Sequence, residues 1–208
     1  MTQFFSVHPA NPQPRLIRQA ADLVREGNVI VYPTDSCYAL GCRLDDRTAV
    51  DRIRAIRALD AKHHFTLVCR DLSEVARYAR VDNQQFRLLK SATPGSYTFI
   101  LEATREVPRR LQHPKRKTIG LRVPDHPVAQ ALLAALDEAI LSTSLVLPGD
   151  ELPLNDAGEI RERLEGLVDL IIDSGACGLQ VTTVVDLTGA APQVIRAGKG
   201  SLAPFGLA

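Results

Sequence analysis

The sequence predicts one α/β domain, residues 1–208, in which a mixed β-sheet is flanked by helices. Short apolar runs rich in β-branched residues alternate with stretches of helical periodicity, and short connections join them. Near the C-terminus two such runs, 182–188 and 193–198, are separated by little more than the Gly189–Pro192 segment, which predicts a hairpin. An antiparallel hairpin beside strands joined by helices makes the sheet mixed. The length of 208 residues is that of a single domain.

The first half of the chain predicts alternating helices and strands. Residues 13–26 carry apolar side chains at helical spacing and end at Gly27. The apolar run 28–34 predicts a buried strand ended by Pro33. The elements expected next are a helix capped by Asp46, a strand at 65–69, a helix opened by a capping box of Asp71 and Glu74, a helix capped by Asp82, and a strand after the Pro94-Gly95 turn.

The second half continues the same alternation. The run 118–124 predicts a strand, and Asp125 is expected to cap the helix that follows it. Further strands are expected at 139–147 and 168–174, with a helix at about 156–165 between them. The strands of the C-terminal hairpin complete the sheet.

Composition excludes a membrane-spanning chain and favours a cytoplasmic protein. Apolar runs reach only about six residues, against the roughly 20 that cross a bilayer, and the N-terminus lacks the basic start and apolar core of a signal peptide. The cysteines form no Cys-x-x-Cys pair, so buried free thiols are the better interpretation. A zinc site of Cys37 and Cys42 with His63 and His64 is the less favoured alternative; the remaining cysteines are Cys69 and Cys177.

Positive charge is concentrated in one segment although the whole chain carries a net charge of only +1. Segment 105–117 contains six Arg or Lys residues and one Glu. Such a segment fits either a phosphate backbone, as in RNA, or a solvated loop. The residues predicted to bind RNA are Arg109, Arg110, Lys115, Arg116 and Lys117.

Hydroxyl and guanidinium groups lie where the apolar strands end. The Thr34-Asp35-Ser36 stretch follows one strand, residues 142–144 lie inside another, and residues 182–183 begin a third. The crevice beyond strand ends is the usual ligand site of an α/β sheet. Arg122 and Arg196 lie within apolar strands, where each needs an anionic partner. That partner is a ligand phosphate or an internal carboxylate such as Asp35 or Asp186.

Six ordered motifs resemble those of the YrdC-like family, whose best-known members are L-threonylcarbamoyl-AMP synthases. They extend from about residue 10 to residue 200 and, with the N-terminal SVHP, look most like the YciO-type branch of that family. The motifs are PTDSCYALGC (33–42), TPGSYTFIL (93–101), TIGLRVPDHP (118–127), AILSTS (139–144), TTVVD (182–186) and VIRAGKG (194–200).

The resemblance implies a twisted, open mixed sheet with a large concave cavity. It also implies the reaction of threonine, bicarbonate and ATP to threonylcarbamoyl-AMP and pyrophosphate, for later modification of tRNA. ATP with magnesium would be a substrate, with no tightly bound cofactor and no metal-binding residue. Matched to the family motifs, the substrate-binding residues are Thr34, Thr118, Arg122, Ser144 and Thr183, and the nucleotide-binding residues are Arg57, Ser142, Ser144 and Arg196.

The chain departs from the synthase pattern at the nucleotide. The synthases carry a Lys-x-Arg pair and a Ser-x-Asn pair, and here Arg57, Leu59 and Val146 occupy three of those four positions. Loss of two charge-assisted contacts would weaken ATP use by roughly 10² to 10⁴-fold. Two hypotheses stay open: an enzyme of the synthase lineage that makes or processes such an adenylate, and a module that binds tRNA or double-stranded RNA without synthesis. Neither expects a membrane partner.

Overall fold

A computed structural model describes residues 1–60 and 63–206. Over those residues ten strands form one open sheet, and helices pack on both of its faces. The strands are β1 (Gln3–Ser6), β2 (Ile30–Tyr32), β3 (Ala39–Arg43), β4 (Thr66–Val68), β5 (Tyr97–Glu102), β6 (Thr118–Arg122), β7 (Ile140–Ser144), β8 (Leu170–Asp173), β9 (Thr183–Asp186) and β10 (Gln193–Arg196). The α-helices are α1 (Pro14–Arg25), α2 (Arg47–Arg57), α3 (Leu72–Tyr78), α4 (Asn83–Ala92), α5 (Pro127–Leu136) and α6 (Ala157–Leu164).

The sheet is mixed, as the sequence predicts. Its strand order is β1-β8-β2-β3-β7-β4-β6-β5-β9-β10. The sheet contains parallel pairs such as β4 with β6 and β5 with β9, and antiparallel pairs such as β3 with β7. The predicted C-terminal hairpin is the antiparallel pair of β9 and β10. None of the helices in the described segments is long and apolar enough to cross a membrane.

Two apolar layers hold the helices to the sheet. Since side chains alternate along a strand, Val31 faces one layer while Ile30 and Tyr32 face the other. Helices α1 and α5 pack over the second layer through residues such as Ile17 and Leu132. The larger first layer packs against α2, α3, α4 and α6. Helices α1 and α5 cover the apolar side chains on the face of the sheet that carries the second layer. The polar side chains farther along the same face form a cleft.

The sequence analysis did not predict two of the strands, β1 and β3. Strand β1 is four residues long and only half-buried, so it lacks a strong apolar run. Strand β3 contains Gly41, where an added Cβ would lie 2.9 Å from side-chain atoms of both Ile140 and Tyr32. This close approach requires glycine, which depresses the apparent strand propensity of the segment.

Three details of the predicted elements are wrong. His126, not Asp125, caps α5, because its Nδ1 accepts the backbone N–H of Val128. The Glu74 carboxylate accepts from the backbone N–H of Arg70 rather than completing a capping box at Asp71. The predicted strand 139–147 ends at Ser144, although the Leu145 N–H still bonds to the Tyr38 carbonyl before β3.

The Asp82 cap provides a test of the fold. Its carboxylate accepts the backbone N–H groups of Gln84 and Gln85 in a complete capping box at the start of α4. Replacing Asp82 with Ala should lower the free energy of unfolding by about 1 kcal/mol, because those groups lose their acceptor. Urea unfolding measures the change, with exposed Gln84→Ala as the control. Equal unfolding midpoints for Asp82→Ala and the wild type would contradict this assignment.

Candidate functional site

The floor of the cleft is built from one face of five neighbouring strands, β3, β7, β4, β6 and β5. Ser142 of β7 pairs with Thr66 of β4, which pairs in turn with Gly120 of β6. Because side chains two residues apart share a face, Ser144 and Arg122 point to the same side. At Gly120 an added Cβ would lie 3.1 Å from the Thr66 hydroxyl. A small residue here keeps the floor open between neighbouring hydroxyl groups.

The cleft has a volume of about 180 Å³ and adjoins a pocket of about 80 Å³ that shares some of its residues. Within the described part of the chain, its lining contains three arginines and two histidines but no aspartate or glutamate. A lining of this kind favours an anionic ligand. The lining residues are Ala39, Arg57, His63, His64, Thr66, Val68, Thr98, Arg122, Ser142, Thr143, Ser144, Val146, Val181, Thr182 and Arg196.

Arg122 is held by a buried ion pair. Its Nη2 donates to Asp35 Oδ1 at 2.5 Å and to the Thr34 hydroxyl at 3.2 Å. The two charged side chains are only 7% and 10% exposed. Of the carboxylates that the sequence offered as partners, Asp35 is therefore the one that pairs with Arg122. The Nε of Arg122 is buried without a hydrogen-bond partner among the described residues, and the side chain lines the cleft.

The Asp35 carboxylate stays ionised despite its burial. Burial acts to raise its pKa, but the Arg122 guanidinium and the Ser96 hydroxyl more than offset that effect, and the pKa lies below its ordinary value. Ser96 Oγ donates to Asp35 Oδ2 at 2.5 Å. Lys199 Nζ donates to the backbone carbonyl of Asp35. The turn that follows β2 is thus held from β6, from the start of β5 and from the C-terminal segment.

Arg57 and Arg196 provide two further cations at the walls. Arg57, the last residue of α2, donates to the Ser144 carbonyl, and its Nε is buried without a partner among the described residues. Arg196 Nη2 donates to the Thr182 carbonyl at 3.0 Å. Burial lowers the pKa of both guanidinium groups. Both remain charged at neutral pH because an arginine pKa starts above about 12.

Two of the predicted hydroxyl groups, those of Thr34 and Ser142, form hydrogen bonds within the protein that stabilise the fold. Thr34 Oγ1 donates to the Cys37 carbonyl at 2.6 Å, which closes the turn beside Asp35. Ser142 Oγ accepts from the Tyr32 hydroxyl at 2.8 Å and donates to the Leu40 carbonyl. Burial raises the pKa of Tyr32 to about 12, so its hydroxyl remains a donor.

Three predicted substrate residues, Thr34, Thr118 and Thr183, lie outside the lining of the cleft. The Thr183 hydroxyl donates to the Gly200 carbonyl and accepts from the Gly198 N–H, which fastens the C-terminal segment to β9. Thr118 lines the adjoining pocket of about 80 Å³. Leu59 also lies outside the lining and packs against the first apolar layer.

Sequence reasoning missed residues that do line the cleft. His63 and His64 were considered only as zinc ligands, and Thr66 and Thr98 were not singled out. The Thr98 and Thr182 hydroxyls lie 2.9 Å apart across β5 and β9. A single threonine at an alternate position of an otherwise apolar strand is the signal that points to this face.

The predicted RNA-binding residues do not form one surface. Arg110 donates to the carbonyls of Leu44 and Asp45, and Arg116 forms an ion pair of 2.9 Å with Asp186. Arg109 and Lys117 line a separate groove of about 650 Å³ that also contains Arg80 and Arg105. Lys115 is exposed outside that groove.

The cysteines are free thiols within the described structure. Cys37, Cys42 and Cys69 are buried, and burial raises the pKa of Cys42 to about 12. Over the described residues no group of three or more His, Cys, Asp or Glu side chains is arranged to hold a metal ion.

Comparison with known protein families identifies the family of this chain. The Sua5/YciO/YrdC family model, described as telomere recombination, matches residues 22–198. The chain belongs to this family. It is 60% identical over 205 residues to the uncharacterized protein YciO of Escherichia coli K12, covering 99% of this chain and 100% of that protein. It is 30% identical to the threonylcarbamoyl-AMP synthase of Halorhodospira halophila, covering 85% of this chain and 92% of that synthase.

Solved structures confirm the fold. The E. coli YciO crystal structure superposes with a TM-score of 0.95 at 60% identity, covering 99% of this chain and all of that one. The crystal structure of P. abyssi Sua5 complexed with L-threonine has a TM-score of 0.87 at 28% identity, covering 95% of this chain and 58% of the Sua5 chain. The expected α/β fold with an open mixed sheet is therefore confirmed.

The buried pair of Arg122 and Asp35 predicts a coupled loss of stability. Replacing Arg122 with Met should lower the free energy of unfolding by about 3–5 kcal/mol, because it leaves a buried carboxylate unpaired. Adding Asp35→Asn should restore part of the loss, with a coupling of about 0.5–3 kcal/mol. Urea unfolding of the four proteins of this cycle measures both effects, and strict additivity would show that the pair does not form.

The same pair predicts a pH dependence. Because the pKa of Asp35 is lower in the folded protein than its ordinary value of 3.8, its contribution is fully present above that value and is lost as pH falls through the folded pKa. The stability difference between wild type and Asp35→Asn should therefore shrink below about pH 4.

Proposed function

We propose that the chain joins an amino acid, bicarbonate and ATP into a carbamoyl-adenylate and releases pyrophosphate, with threonine as the first amino acid to test. One observation carries the proposal: Arg57, Arg122 and Arg196 line a single cleft, and no carboxylate lines it within the described residues. A carboxylate and a triphosphate are the anions of this reaction. Membership of the Sua5/YciO/YrdC family and the name of the H. halophila synthase support the same chemistry.

Each cation has a role in the proposal. Arg122 binds the carboxylate of the amino acid, while Arg57 and Arg196 neutralise the phosphates as charge moves to the leaving pyrophosphate. The carbamate oxygen then attacks the α-phosphorus of ATP. We propose that magnesium arrives bound to ATP, as part of the substrate. Preorganised cations of this kind act by positioning and charge stabilisation.

Two of the departures from the synthase pattern, Val146 and Leu59, lie in different environments. Val146 lines the cleft, where the synthases have an amide, whereas Leu59 packs on the apolar layer outside it. An apolar group cannot replace the hydration that a phosphate loses. Val146 is therefore the substitution expected to weaken ATP binding most directly.

Pyrophosphate release is the direct test. The wild-type protein should release pyrophosphate only when amino acid, bicarbonate and MgATP are all present. Product analysis should then find an adenylate that contains both the amino acid and one carbon from bicarbonate. A protein that releases no pyrophosphate with any common amino acid would overturn the proposal.

Restoring the amide should increase the activity. Val146→Asn should raise pyrophosphate release by about tenfold, the value of one recovered contact to a charged group. Val181→Asn is the matched control, because it places the same amide on another wall of the cleft, outside the Ser-x-Asn motif. Equal rates for the two variants would contradict the assigned role of position 146.

The combined variant Arg57→Lys, Leu59→Arg and Val146→Asn restores the synthase pattern fully. It should exceed every single variant, since groups that act on one ligand are not additive. A folded but inactive triple variant would favour the RNA-binding hypothesis. Circular dichroism and thermal unfolding check that the variant folds, because Leu59 packs against the apolar layer.

We also propose RNA binding as a second candidate function. The supporting observation is the groove of about 650 Å³ lined by Arg80, Arg105, Arg109 and Lys117. Among the described residues of its lining, Glu102 is the one carboxylate, and it pairs with Arg80 at 3.2 Å. The remaining three cations suit a phosphate backbone.

Salt dependence tests the RNA proposal. Replacing Arg109 and Lys117 with Gln should weaken binding of tRNA or double-stranded RNA and reduce the slope of log affinity against log salt by about 1–2. Arg15→Gln with Arg18→Gln removes the same charge from the exposed side of α1 and is the control. Filter-binding titrations at several salt concentrations measure the slopes. Equal slopes for the two double variants would exclude the groove as the contact.

A further inference from the structure

The cleft contains few groups able to exchange a proton at neutral pH. Its arginines stay protonated, and its serine and threonine hydroxyls stay neutral. Among the described residues of the lining, His63 and His64 are the side chains whose ordinary pKa lies near neutrality. A reaction in this cleft that releases a proton passes it to water, to a phosphate of the bound substrate or to one of these two imidazoles.

The proposed reaction releases one proton. An amino acid ammonium and bicarbonate give a carbamate, water and one proton. The amine nitrogen forms a bond to carbon, a C–O bond of bicarbonate breaks, and one ammonium proton leaves with the departing hydroxide as water. The second ammonium proton needs an acceptor, because a protonated amine has no lone pair with which to attack carbon.

We propose that His63 accepts this proton and so activates the amine of the substrate. The inference deepens the proposed function and rests on it. His63 follows the end of α2 and lines the cleft together with Arg57 and Arg122, the groups assigned to the phosphates and to the substrate carboxylate. The amine and the carboxylate of an amino acid are attached to the same carbon. An imidazole in the cleft that holds the carboxylate is therefore placed to reach the amine.

His63 fits this role better than its neighbour. The His64 ring stacks on His113, with ring centroids 4.9 Å apart and the planes inclined by 19°. This stack fixes His64 at the boundary with the adjoining pocket, and the residue is exposed. The His63 ring is half-buried and meets Phe65 edge-on, with centroids 5.4 Å apart. The contact with Phe65 orients the His63 ring, and His63 is the less exposed of the two histidines.

The surroundings of His63 keep it neutral. Burial lowers its pKa below 6.5, and the charges of Arg57, His64 and Arg54 act in the same direction, while Asp60 acts against them. Arg122 and Arg196 on the other walls add positive charge to the same cleft. A neutral imidazole is the form that can accept a proton. Activity that depends on it should therefore be present above its pKa and be lost as pH falls through that value.

The test compares the pH profile of pyrophosphate release in the wild type and three variants at limiting bicarbonate, where carbamate formed in free solution contributes little. His63→Gln should lower kcat by about 10²–10⁴-fold, the usual contribution of a positioned base, while KM for ATP stays nearly unchanged. It should also abolish the fall in kcat at acidic pH that the wild type shows. His63→Ala should regain activity when imidazole is added, because the cleft is open to solvent. His8→Gln, in an exposed loop after β1, is the control.

The outcomes separate this inference from the proposed function. An active wild type together with a His63→Gln variant of unchanged rate and pH profile would overturn the role of His63 alone. A wild type without pyrophosphate release would overturn the proposed function and, with it, this role. A lowered rate in His63→Ala that imidazole does not raise, with the acidic limb retained, would show that His63 only supports the wall of the cleft.

Discussion

The buried ion pair of Arg122 and Asp35 connects parts of the sheet that do not otherwise bond to each other. Arg122 ends β6, and Asp35 lies in the turn after β2, with β3, β7 and β4 between those strands. Four strand spacings correspond to roughly 19 Å, so the turn must fold back over the face of the sheet to bring the carboxylate to the guanidinium. The pair thereby shapes the cleft as well as neutralising one of its charges. A buried guanidinium without such a partner would be expensive.

The cationic character of the cleft follows from how the helices are distributed. Helices α1 and α5 cover the apolar side chains of one face, including Ile30 and Leu170. The neighbouring part of that face carries hydroxyl groups, and arginines reach it from α2, β6 and β10. Because no acidic side chain lines this space in the described structure, the positive charge there is only partly compensated, through Asp35 behind Arg122. An anion that enters the cleft exchanges its hydration for fixed donors.

The basic segment shows that charge density along a chain need not become charge density on a surface. A turn around His113, whose Nδ1 accepts the backbone N–H groups of Lys115 and Arg116, reverses the chain direction. As a result Arg116 reaches Asp186 while Lys117 faces the groove. Arg110 is directed to backbone carbonyls near the end of β3. Residues adjacent in sequence therefore serve three different environments.

The sequence by itself determined the alternation of helices and strands, the C-terminal hairpin and the family, because periodicity, turn residues and ordered motifs are local signals. It also identified Arg122 as an arginine that needs a partner, since an apolar strand cannot hold a charge alone. The same expectation was wrong for Arg196, which is exposed on β10 and donates to the Thr182 carbonyl. Only the tertiary structure decided that Asp35 pairs with Arg122, that Thr183 fastens the C-terminal segment, and that His63 lines the cleft. These contacts and positions depend on the strand order and on the length and path of each turn. Both arise from contacts between residues distant in the chain, which local pattern does not encode.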